Sequence, residues 1–182
     1  MSIKALIFDV DGTIADTEET HRQAFNAAFL DHGLAWDWVR PEYAELLRTS
    51  GGKERIALYI ESQKLKPQEK ARLKGMVQLI NDSKTRIYAE LIADGGAPLR
   101  PGVARIIGEA RAAGVRLGIA STTTSANVSA LISAQFGADA WNWFEALACG
   151  DVVENKKPAP DIYTRALGML RLPASDCVAF ED

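Results

Sequence analysis

Apolar and polar positions change their rhythm three times along this chain. Residues Ala5 to Val10, "ALIFDV", form a short apolar run that predicts a strand buried on both faces. From Thr17 to about Leu91 the period is helical. His21, Phe25 and Phe29 recur at every fourth position with Ala24 and Ala28 beside them, and Gly33 is placed to end that helix. Pro41 and Pro67 can open further helices, the last carrying an apolar stripe of Leu73, Met76, Val77, Ile80 and Ile87. After the breaker-rich "ADGGAPLRPG" the pattern alternates: helix "PGVARIIGEARAAG", strand "VRLGIAS", helix "TSANVSALISAQFG", strand "EALACG", helix "PDIYTRALGML", strand "CVAFED".

Short apolar strands alternating with amphipathic helices predict βαβ units and a parallel sheet. The first strand is expected to join that sheet, which makes the helical stretch an insertion. The fold class is therefore α/β, a Rossmann-like parallel sheet with an inserted α-helical cap. Residues 1–16 and 93–182 form the core and residues 17–92 the cap. The pairs "WDW" (Trp36–Trp38) and "WNWF" (Trp141–Phe144) lack basic neighbours for stacking on nucleic acid, so they are expected to staple helix ends and fill core edges.

Composition narrows the class without changing it. Hydrophobic residues make up 47% and charged residues 25% of the 182, a globular balance, and a net charge of -3 argues against a general nucleic-acid binder. Cys149 and Cys177 form no C-x-x-C pair and offer no metal cage. No stretch reaches the roughly 20 apolar residues of a membrane span, and "MSIKALIFDV" is too short an apolar run for a signal peptide. A cytoplasmic monomer with no nucleic-acid or membrane partner is the expectation.

The candidate chemistry lies where the predicted strands end, the place where open α/β sheets bind ligands. Asp9 and Asp11 follow the first strand, and their i, i+2 spacing would turn both carboxylates to one face. Ser121, Thr122, Thr123 and Thr124 follow the second and open a helix whose free amides attract anions. Lys156 and Lys157 follow the third; Glu181 and Asp182 end the fourth. Each feature alone reads as a turn, a cap, a solvated loop or surface charge. Together they suit one reaction. Crowded carboxylates call for a hard divalent cation such as Mg²⁺, an aspartate can attack a phosphoryl group, and a lysine with hydroxyl donors can offset the phosphoryl charge.

The stretches "DVDGT", "IAST", "KKPAPDIY" and "FED" together resemble the haloacid dehalogenase superfamily of phosphohydrolases over the whole chain. That resemblance implies Asp9 as nucleophile and Asp11 as general acid/base, with Ser121 and Lys157 binding the transferring group beside Thr122, Thr123 and Thr124. It implies a Mg²⁺ site of Asp9, the carbonyl of Asp11, and Asp182 with Glu181. Thr13 after Gly12 resembles the phosphatase and phosphomutase branch. Family members continue through at least one more strand and helix beyond the last motif. A shortened chain is therefore expected, with an inactive fragment that only binds sugar phosphate as an alternative.

The cap is expected to choose the substrate. "TSGGKERI" places Ser50, Gly51, Gly52, Lys53 and Glu54 before a helix, which suits either a second anion site or a flexible helix–helix turn. Glu18 would bond sugar hydroxyls or merely favour its helix dipole. His21 would reach the substrate or sit in the buried stripe. "SGGKER" resembles the CbbY-type members, phosphatases of xylulose 1,5-bisphosphate associated with Rubisco care. The ligand implied is a small sugar phosphate or bisphosphate, in the cytoplasm or, in a photosynthetic eukaryote, the plastid stroma. β-Phosphoglucomutase, which the Thr17 and His21 positions also resemble, is the alternative.

Overall fold

The computed structural model describes residues 3–182. Four parallel strands, β1 (Ala5–Phe8), β2 (Arg116–Ser121), β3 (Phe144–Cys149) and β4 (Cys177–Phe180), pair in the order β3-β2-β1-β4. The first strand is thus central, flanked by β2 and β4, and all four carboxyl ends open on one edge. Side chains alternate across β1. Leu6 and Phe8 pack with α5 (Val103–Ala112) and α6 (Ser125–Phe136) on one face, while Ala5 and Ile7 meet α7 (Asp161–Leu170) on the other. Both faces of β1 and β2 are covered, which is why those two read as plain apolar runs, whereas the edge strand β4 leaves Val178 and Ala179 exposed. β1 is shorter than the apolar run, because the chain leaves the ladder after Phe8 although Asp9 N–H still donates to Phe180 O at 3.0 Å.

Between β1 and α5 lie α1 (Glu18–Asp31), α2 (Arg40–Leu46), α3 (Gly52–Ser62) and α4 (Pro67–Ala93). Pro41 and Pro67 sit at helix starts, and Gly33 follows the end of α1 at φ 68°, as the sequence pattern predicts. This helical block has its own apolar cluster, which includes Ile56 and Ile80 and in which the rings of Phe25, Phe29, Tyr43 and Tyr59 surround Trp38. Trp38 is fully buried, with ring centroids 4.7 Å from Phe29 and 4.8 Å from Phe25. Its carbonyl accepts from Arg22 and Asn26 of α1. The expectation that "WDW" staples helix ends and fills core edges is corrected for Trp38, which is fully buried inside the block's core. Trp143 does sit at an edge, half-buried, with Arg111 3.6 Å over its ring. Trp38→Ala is expected to lower stability by about 3–5 kcal/mol, read as an early unfolding transition in urea.

Among the described residues, no helix is long and apolar enough to cross a membrane.

Candidate active site

The carboxyl edge of the sheet and the underside of the helical block enclose a cavity of about 290 Å³. That is the scale of a small-molecule site. Its floor is made at the strand ends. Asp9 is 6% exposed, and its Oδ1 accepts from Lys157 Nζ at 2.6 Å. Burial raises the Asp9 carboxyl to about 6; Lys157 opposes that shift, while Asp11 and Glu181 reinforce it. Lys157 also donates to both Glu181 oxygens at 2.9 Å, and Tyr163 of α7 donates its hydroxyl to Glu181. Buried Ser121 ends β2 on the cavity wall, where its Oγ accepts from the Thr123 amide at 3.3 Å.

Oxygens of Asp9, Glu181 and Asp182 all lie within 4.8 Å of one another. These are hard donors of the kind that hold Mg²⁺. Gly12 turns the chain beside them at φ 80°, and a Cβ there would run into the Asp182 carboxylate. Asp11 does not share that cluster. Asp9 and Asp11 line the same cavity, but Asp11 stands beyond the end of β1, where the chain is turning, and its carboxylate stays out of the cluster. The Asp11 carboxylate faces the helical block instead, accepting from Thr17 Oγ1 at 2.6 Å and from His21 Nε2 at 2.8 Å.

His21 is buried on α1, stacked on Tyr88 with centroids 4.1 Å apart, and its Nδ1 meets Lys84 Nζ at 2.7 Å. An ammonium can only donate, so Nδ1 accepts and the ring proton on Nε2 goes to Asp11. Burial and the neighbouring Lys84 lower His21 to about 4, which keeps the ring neutral. Burial likewise lowers Lys84 to about 7, with Arg55 adding to the shift and Asp11 resisting it. Burial pushes Asp11 up, but the His21 ring, its hydrogen bond, the Thr17 hydroxyl and Lys84 overcome this and hold the carboxyl well below its usual range.

The roof of the cavity differs from the sequence reading. Ser50, Gly51 and Gly52 line it, as do Glu18, His21, Thr122 and Thr123. Burial and nearby carboxylates, Asp16 first, raise the Glu18 pKa. Lys53 and Glu54 do not line the cavity. Lys53 pairs with Asp151, and Glu54 accepts from Lys156 at 2.5 Å. Thr124 is an N-cap whose Oγ1 accepts from the Asn127 amide, outside the cavity lining. The cations at the roof are Arg55 and Lys84, which sequence reasoning passed over.

A signal for both was present. Arg55 stands next to Ile56 on the face of α3 that buries Ile60. Lys84 falls at the fourth position between Ile80 and Tyr88, inside the apolar stripe of α4. A cation on a buried stripe is costly unless something meets its charge.

Arg55 is 8% exposed and donates to Leu46 O, Tyr43 Oη and Thr49 O, all neutral oxygens. Among the described residues no carboxylate pairs with it. The cavity therefore brings together an acid cluster with Lys157 and, from the helical block, the buried Arg55 guanidinium and Lys84 amine.

A sheet of this topology, an acid cluster at its carboxyl edge and a helical insertion over it define a phosphoryl-transfer type of site. The family model for haloacid dehalogenase-like hydrolases matches residues 3–182, and the chain belongs to that family. It is an enzyme, a phosphoric monoester hydrolase.

Within the family it is 52% identical over 182 residues to Protein CbbY of Rhodobacter capsulatus, covering 100% of this chain and 78% of that protein. A crystal structure of an aspartate-to-asparagine mutant of CbbY from Rhodobacter sphaeroides, in complex with xylulose-(1,5)bisphosphate, superposes with a TM-score of 0.87. It is 47% identical, covering 97% of this chain and 76% of that one. A β-phosphoglucomutase from Clostridium difficile shares the fold, with a TM-score of 0.71 at 22% identity, over 99% of this chain and 76% of that one.

Proposed function

We propose that this enzyme removes one phosphate from a sugar bisphosphate through an aspartyl-phosphate on Asp9, with xylulose 1,5-bisphosphate as the substrate that best fits. The observation that carries the reading is the pair of buried cations in the cavity wall. Arg55 and Lys84 are buried on the helical block and line the same cavity as Asp9, and among the described residues no carboxylate pairs with Arg55. A second phosphate would supply the missing anion. The similarity to CbbY, crystallised with that bisphosphate, supports the same choice. A monophosphate mutase substrate would also use two anion positions during turnover, but at 22% identity the mutase likeness extends to the fold alone.

In this reading the substrate's reacting phosphate sits between Asp9, Ser121 and Lys157. A carboxylate oxygen of Asp9 forms the bond to phosphorus while the bond to the sugar oxygen breaks, and that leaving oxygen takes a proton delivered from solvent through Asp11. Water then attacks the phospho-aspartate, Asp11 takes its proton, and Asp9 and inorganic phosphate separate. Thr17 and His21 hold the Asp11 carboxylate in its accepting state, which suits it to the second step. Lys157 and Ser121 meet the phosphoryl oxygens, and Glu18 is positioned to bond sugar hydroxyls.

Asp9, Glu181 and Asp182 fit Mg²⁺, with the Asp11 carbonyl as a further donor, and the cation would offset the acids' mutual repulsion and the phosphoryl charge. Removing divalent cations with excess chelator is expected to abolish phosphate release, Mg²⁺ to restore it, and the larger Ca²⁺ to restore it poorly. Full turnover in chelator would rule out this assignment.

A further inference from the structure

The glycine turn before α3 leaves two side chains that the cavity does not use. Lys53 and Glu54 both reach the loop after β3. Lys156 Nζ donates to Glu54 Oε1 at 2.5 Å and to Asp151 Oδ1 at 2.7 Å, and Lys53 pairs with the other oxygen of Asp151. The four charges alternate in sign, Lys53, Asp151, Lys156, Glu54. Two belong to the helical block and two to the sheet core, with their partners 98 and 102 residues apart in sequence.

Gly51 makes room for the contact. At φ 95°, a Cβ on it would collide with the Glu54 carboxylate and lie 2.8 Å from Lys156 Nζ. Lys156 is the shielded centre, its side chain 15% exposed. Its neighbour in the chain is Lys157, whose amine touches Asp9.

We propose that these four residues form a clasp that holds the helical block down over the cavity, and that Glu54 is a positioning residue that acts through Lys156 on the seating of Lys157 against Asp9. The catalytic half of this inference rests on the proposed phosphatase reading; the clasp itself does not.

Isolated surface pairs are weak. This one is a network around a shielded lysine, and removing Glu54 would leave Lys156 with one partner in place of two. Substrates should depend on it unequally. A bisphosphate can draw the block down through Arg55 and Lys84, whereas a small aryl phosphate reaches only the floor and needs the clasp.

The test uses the whole chain with Glu54→Gln and with Glu54→Lys, which sets two ammonium groups against each other. Amide hydrogen exchange without substrate is expected to quicken in residues 49–56 and 150–157 together, more in Glu54→Lys. In Glu54→Gln, kcat/KM for an aryl phosphate is expected to fall about 3- to 10-fold, with a clearly smaller loss for xylulose 1,5-bisphosphate. The wild-type aryl phosphatase rate should fall toward that of the variant at roughly 0.5 M salt, where exposed charges are screened. Unchanged exchange in residues 150–157 would overturn the clasp. Quickened exchange with equal losses on both substrates would overturn the positioning role. If neither substrate is hydrolysed by the wild type, the proposed activity is refuted, and the exchange result still decides the clasp.

Discussion

Asp9→Asn is expected to reduce phosphate release by roughly 10⁴- to 10⁶-fold while leaving the fold intact, as removal of a covalent nucleophile does elsewhere. Asparagine keeps the shape of the side chain but supplies no anionic oxygen to attack phosphorus. The fold should survive because the Asp9 charge is not a source of stability. Burial raises its pKa to about 6, so ionisation at neutral pH costs folding free energy, and a neutral amide escapes that cost. Lys157 keeps Glu181 as a partner in the variant. The variant should therefore melt no lower than wild type. The checks are phosphate release with an aryl phosphate, a thermal melt, and crystallographic trapping of a metal fluoride that mimics the phosphoryl group, expected in line with Asp9. Retention of about a tenth of the wild-type rate, or a fluoride complex centred on another side chain, would overturn the assignment.

Arg55→Gln is expected to separate two classes of substrate. For xylulose 1,5-bisphosphate, kcat/KM should fall roughly 10- to 150-fold, the loss of a charge-assisted contact worth about 1.5–3 kcal/mol. For an aryl phosphate, which presents nothing to the roof of the cavity, the change should stay within about threefold. Glutamine can retain part of the bonding to Leu46 O and Tyr43 Oη, so a thermal melt checks that the block is intact. Arg55→Lys, which keeps the charge, should recover part of the bisphosphate rate. Lys53→Ala serves as the contrast, since Lys53 faces Asp151 and not the cavity. Equal losses on both substrates in Arg55→Gln would mean that Arg55 serves only the packing of Phe25 and Tyr43, over whose rings it lies at 5.9 and 5.2 Å.

These opposite selectivities come from two sets of residues only a few positions apart. Lys53 and Glu54 are in the first turn of α3, and Arg55 follows them. A helix turns about 100° per residue, so neighbours in sequence face different surroundings. The Arg55 direction leads inward to Tyr43 and the cavity; the Lys53 and Glu54 directions lead across to Asp151 and Lys156.

Much of this protein was legible without coordinates. β1 and β2 announce themselves because both of their faces are covered, so local composition reports burial directly. Proline and glycine mark the helix ends because their backbone limits act within one or two residues. The four strand ends could be aligned in thought because a parallel sheet opens every carboxyl end on one edge, which brings the segments carrying Asp9, Ser121, Lys157 and Asp182 to one side of the molecule.

The direction of each side chain beyond a strand end was not legible, because turns and long-range contacts set it. Asp11 turns from the acid cluster to Thr17 and His21 since the chain is already bending at Gly12. Trp38 lies inside a core rather than at a helix end or core edge because α1, α2 and α3 close around it. The roof of the cavity was decided last, by how the block sits on the sheet. That placement buried Arg55 and Lys84 in the wall of the cavity that holds Asp9 and left Lys53 and Glu54 to meet charges about a hundred residues away, a pairing that no local pattern encodes.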